Sequence, residues 1–149
     1  MDLNQLKKIE ARLKQVNQSK VEQFLKEEIL ANGKEIVKLV RDRWKHGKRP
    51  DGDIIGSYAS FSYELFKRRK NPLGGGRVDL ILDGGLNEGL VVNHLTGALF
   101  NIFSTDEKAV SIASKYGLDV YGLTKEEEQE VLFQASIKIH FKISEFVGL

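Results

Sequence analysis

The sequence has no cysteine, which excludes disulfide staples, thiolate metal sites and cysteine nucleophiles. It also lacks a dominant charge: Lys and Arg number 23 against 21 Asp and Glu, a formal net charge of +2. No global electrostatic force therefore directs it to nucleic acid or to an anionic membrane. Met1 to Gln15 alternates charged with apolar residues and has no continuous hydrophobic stretch, so neither a signal peptide nor a membrane span is expected. The histidines are three, His46, His94 and His140, and no two stand at the i, i+4 spacing that aims a pair of imidazoles at one metal. Internal repeats and low-complexity tracts are absent. What is present is an ordinary globular balance, 149 residues with 41% apolar and 30% charged side chains. That is enough for one domain with a real core and too little for two.

Periodicity divides the chain. Leu3, Leu6, Ile9, Leu13 and Val16 step by three and four residues, the narrow stripe of a helix that packs against one partner. The polar run Asn17 to Lys20 marks a bend or break. Val21, Phe24, Leu25, Ile29, Ile36, Val37, Val40 and Trp44 then continue an amphipathic pattern that Asn32 and Gly33 weaken locally. From His46 to Asp53 two glycines and Arg49-Pro50 favour an exposed loop. Ser57 to Lys70 reads as an irregular or short helical segment rich in aromatics. Val78, Leu80 and Leu82 alternate with Asp79, Ile81 and Asp83 in the manner of a strand. Gly89 to Leu95 and Ala98 to Phe103 supply two further strands around Thr96-Gly97, giving an antiparallel meander. Ser104 with Glu107, and Thr124 with Glu127, each fit a helix-opening capping box. Gly117 stands where the first of these helices ends. Lys125 to Val147 is predicted helical, although Ile137, Ile139, Phe141 and Ile143 also alternate as a strand would.

Chemistry is sparse by comparison. Gly74-Gly75-Gly76 precedes a strand, whereas a phosphate loop follows one, so it reads as a linker. Two basic clusters, Lys45, Lys48 and Arg49, then Lys67, Arg68, Arg69 and Lys70, flank the aromatic segment and could meet phosphates or an acidic protein surface. The acidic run Glu126, Glu127, Glu128 and Glu130 suits the positive end of the last helix. A metal-dependent nuclease would need Asp79 or Asp83 with Asp106, Glu107 and Lys108, but that second group falls on a helix start. No cofactor is expected.

Several short runs carry a resemblance. They are Trp44, Gly47, Asp51-Gly52 and Ile55-Gly56 with Tyr58; then Val78-Asp79-Leu80 with Leu82 and Gly84; then Ser104-Thr105-Asp106 with Lys108, Lys115-Tyr116-Gly117 and Tyr121-Gly122-Leu123-Thr124. In order and spacing these resemble a family of small proteins encoded in tailed-phage and prophage morphogenesis clusters, of the virion-morphogenesis or tail-completion type. Asp83-Gly84 stands where many members have Thr-Gly, and Tyr121 where many have Phe. The resemblance spans about two-thirds of the chain. It implies a non-enzymatic structural or assembly protein at the capsid–tail junction, present in several copies, cytoplasmic in a bacterial host or incorporated in a virion.

The expected fold class is α+β: a small antiparallel β-meander packed against long N- and C-terminal helices and a short capped helix. Residues 1–149 form one domain, with 1–46 a helical N-terminal region and 77–149 the sheet-plus-helix core. Other virion or assembly proteins are the expected partners, together with further copies of the chain. The stripe Leu3, Leu6, Ile9, Leu13 and Val16 is the candidate oligomer contact.

Overall fold

The computed structural model describes residues 2–81 and 84–149. It is an α+β fold in which helices carry most of the chain and a single two-stranded hairpin forms the sheet. Helix α1 (Leu3–Leu13) is opened by a capping box, Asp2 accepting from the Gln5 amide at 2.7 Å while the Gln5 side chain accepts from the Asp2 amide at 2.9 Å. Of the bend or break expected at Asn17 to Lys20 the structure has the break: the Asn17 carboxamide caps the Lys20 amide at 2.9 Å and opens α2 (Gln18–Ala31). Asn32 ends α2 and begins α3 (Gly33–Lys45), which buries Ile36, Val37, Val40 and Trp44 along one face.

Helix α4 (Phe61–Lys70) and the one-turn α5 (Gly85–Glu88) precede the hairpin. Strands β1 (Leu90–Thr96) and β2 (Leu99–Ser104) pair antiparallel from Leu90 opposite Ser104 to Thr96 opposite Leu99. Gly97 turns the chain with φ 54. Its amide donates to Glu22 at 2.9 Å, which ties the hairpin tip to α2. Helix α6 (Ala109–Tyr116) follows, then a 3₁₀ turn (Leu118–Tyr121). The long α7 (Lys125–Val147) opens with the predicted Thr124–Glu127 box and closes on Gly148 in the left-handed region.

The core gathers Ile29, Ile36, Val40 and Trp44 from α2 and α3, Leu90 and Ile102 from the hairpin, and Val120 and Tyr121 from the 3₁₀ turn. Trp44 is fully buried; its Nε1–H donates to the Val120 carbonyl at 2.8 Å and its ring meets Tyr121 edge-on, centroids 5.6 Å apart. The Tyr121 hydroxyl in turn donates to Ala109 O at 3.0 Å, and burial, followed by the Asp106 charge, pushes its pKa up to about 12. Helix α7 packs on α2 through Phe24 and Phe146, whose centroids lie 6.4 Å apart. Lys142 of α7 reaches Glu28 at 2.9 Å and Glu27 at 3.0 Å.

Two sequence expectations change and one holds. The first strand of the meander does not form in the described part of its span: Arg77 makes one isolated bridge to Ser57, and Leu80 has φ 55, incompatible with extended pairing. The period-two pattern fails because Val78, Asp79 and Leu80 are all buried, Asp79 by ion pairing rather than by facing solvent. Leu82 and Asp83 lie outside the described residues. The Ser104–Glu107 capping box is also absent. Ser104 ends β2, buried, with Oγ donating to Leu86 O at 2.8 Å and accepting from the Asp106 amide at 3.2 Å. The turn is completed by Asp106, which accepts from the Lys108 amide at 2.8 Å, and α6 begins only at Ala109. Last, the alternating apolar residues near 137–143 belong to α7, as the upstream box favours.

Candidate interaction surfaces

Helix α4 is attached to the molecule by a charge. Of its residues only Lys67 is buried; Phe61 is 71% exposed and Phe66 50%. The Lys67 ammonium lies 2.7 Å from Asp79 Oδ1 and donates to the Ile81 carbonyl. Asp79 Oδ1 also accepts from the Ile81 amide at 3.0 Å, and Oδ2 accepts from Asn71 Nδ2 at 2.9 Å. The same Asn71 nitrogen donates to Lys45 O at 2.8 Å, so the ends of α3 and α4, which carry the two basic clusters, are joined. A side chain at Gly74 would come within 3.0 Å of that nitrogen, which explains glycine there. Tyr58 sits beside the node; its pKa is raised by burial first and by the Asp79 charge second, against a hydrogen bond with the Asp79 backbone.

This arrangement alters the basic patch. Lys67, 4% exposed and paired, is not available to a phosphate, which corrects its place among the candidate contacts. Lys45 is 3.3 Å from Asp42, Arg49 is 3.1 Å from Asp119 and Arg68 is 2.7 Å from Glu64. Lys70 stands over the Phe66 ring at 5.8 Å, Lys48 is half-buried, and Arg69 is exposed. The loops come together, but surface carboxylates offset three of the cations. Of the nuclease candidates that are described, Asp79 is committed to Lys67 and Asn71 and Asp106 to its own turn; Asp83 lies outside the described residues. Among the described residues no group of three or more His, Asp or Glu is placed to hold a metal ion.

The N-terminal stripe is one of the places where apolar surface stays uncovered. Helix α1 has no buried residue; Leu3 is 68% exposed, Leu6 50% and Leu13 49%, while Ile9 and Val16 are half-buried. Gln5, Lys8, Ile9 and Arg12 face Val147 and Gly148 at the end of α7 across an open pocket. By the 3.6-residue period Leu13, Leu6 and Leu3 continue the stripe to one side of Ile9, with Glu10 among them and Lys7 and Lys14 beyond, and Lys14 is paired with Glu10 at 2.7 Å.

A second feature was not anticipated. Between α3 and the first half of α7 runs an open groove of about 560 Å³ with an apolar floor of Ile36, Leu39 and Val131. Its walls carry Glu35 from α3 and Glu126 and Glu130 from α7, with Lys138 at one end. Glu127 turns inward to Arg43 at 2.6 Å, and Arg43 also donates to Gly122 O at 2.7 Å. Lys138 faces Glu28 at 3.7 Å. The acidic run was assigned to the helix dipole, and Glu127 does serve the cap. The missed signal is the row Glu126, Glu130, Gln134 and Lys138, four residues apart and therefore on one line of the helix.

No family model, curated protein or solved structure matches the chain. No described helix is long and apolar enough to cross a membrane.

Proposed function

We propose that this chain is a non-enzymatic assembly protein of a tailed phage or prophage, acting in tail completion or at the capsid–tail junction. The observation that carries the reading is what becomes of the residues that resemble that family. They are used in architecture. Trp44 hydrogen-bonds Val120 and meets Tyr121 edge-on, Gly47 O accepts from the Ile55 amide at 2.9 Å, and a side chain at Gly56 would come within 3.3 Å of the Tyr116 ring. Gly117 ends α6 and Thr124 caps α7. A motif set spent on packing suits a protein whose work is done by its exposed faces, and here those faces are the α1 stripe and the acidic groove. Its place is then a virion, or the cytoplasm of the bacterial host before assembly.

Deletion of the gene from a prophage that carries it tests the reading. The expected result is heads and tails accumulating separately under the electron microscope, an infectious yield reduced by orders of magnitude, and recovery when the gene is returned in trans. An unchanged yield of joined particles would contradict it.

A further inference from the structure

The uncovered helix and the unfilled groove lie on the same chain and match. Helix α1 has 11 residues, about 16 Å at the usual rise, and the groove follows α7 from Glu126 to Lys138, about 18 Å. The exposed flank of α1 is a line of leucines with Lys7, Lys14 and Glu10 beside it, Lys14 being paired with Glu10 in its own helix; the groove is an apolar floor between Glu35 on one wall and Glu126 and Glu130 on the other. Apolar surface would meet apolar surface, and Lys7, with Lys14 released from Glu10, would meet Glu35, Glu126 and Glu130, of which Glu35 lies near Lys38 on its own helix. A chain cannot make this contact with itself in the described conformation. Its α1 is seated at Val147 and Gly148, about 20 Å along α7 from the middle of the groove.

We infer that the α3–α7 groove receives α1 of a second copy of this chain, lysines against glutamates and leucines on Ile36, Leu39 and Val131. The donor face and the acceptor face are different patches, so every copy keeps one of each for further neighbours unless two copies exchange helices reciprocally. The inference is independent of the phage reading, because it rests on shape and charge alone; loss of self-association would leave that reading to its own genetic test. The occupant is a helix of stated chemistry, amphipathic and basic.

Charge exchange on full-length protein tests it. The pair Lys7→Glu/Lys14→Glu places acid against acid, and the pair Glu35→Lys/Glu130→Lys places base against base. Each variant is expected to weaken self-association at least about tenfold in sedimentation or light scattering. The protein with all four substitutions is expected to regain the parental association to within about threefold. Added salt weakens the parent and the fourfold variant alike. Circular dichroism shows that each variant keeps its helices, since all four positions are on the surface. A parent that remains monomeric at millimolar concentration overturns the inference and leaves the groove to a foreign basic helix. Half-reversed variants that associate as the parent does, or a fourfold variant that stays as weak as its halves, overturn it as well.

Discussion

Asp79→Ala is expected to lower the unfolding free energy by about 3–5 kcal/mol, the usual cost of leaving a buried ammonium without its counter-ion. Lys67 and Asp79 have side chains only 5% and 1% exposed. Without the carboxylate, Lys67 retains the Ile81 carbonyl but no opposite charge, and both Asn71 Nδ2 and the Ile81 amide lose an acceptor. The effect should be greatest around α4, because Lys67 is the one α4 side chain that is buried. A urea midpoint measured by circular dichroism checks the total, and faster amide exchange across 61–70 checks the location. The double variant Lys67→Met/Asp79→Leu is expected to recover much of the loss, since an apolar pair avoids the desolvation cost of both ions. A change below about 1 kcal/mol for Asp79→Ala would show that the pair does not hold the helix.

Trp44→Ala should be of similar size for a different reason. Removing a fully buried indole leaves a cavity among Val40, Val120 and Tyr121, typically costing about 3–5 kcal/mol, and strips Val120 O of its donor. For a chain of this length the melting temperature should fall by about 10–15 °C. Trp44→Phe separates the two causes: it retains most of the packing and loses only the hydrogen bond, so its cost should be well under half that of alanine. Equal costs would assign the whole effect to the Nε1–Val120 bond.

How much of this was legible in the sequence depends on the range of the interaction concerned. Helices α1, α2, α3 and α7 follow from local period and caps; the polar run at Asn17 is a break between helices, and Asn17 caps the second of them. The hairpin around Gly97 was legible because a turn and two flanking apolar runs suffice to define it. Asp79 was misread because alternation says which residues differ in polarity, not whether a lysine twelve positions upstream will neutralise the polar one in the interior. Ser104 was misread for a related reason: its spacing to Glu107 satisfied a local rule, but the end of a strand and the Leu86 carbonyl claimed the hydroxyl first. The groove lies between segments some ninety residues apart, and only its α7 wall left a trace in the sequence.

The working surfaces in this account are α1 and the α3–α7 groove, and the absence of cysteine makes their contact directly measurable. One protein carries Leu6→Cys on the free side of α1 and another carries Gln134→Cys in the groove; the two are mixed and treated with a short bis-maleimide. The account predicts a cross-linked species of twice the chain mass that forms in the mixture far more than in either protein alone, and that Lys7→Glu/Lys14→Glu in the α1 donor suppresses. Cross-linking that is equal in the separate proteins, or absent from the mixture, would contradict it.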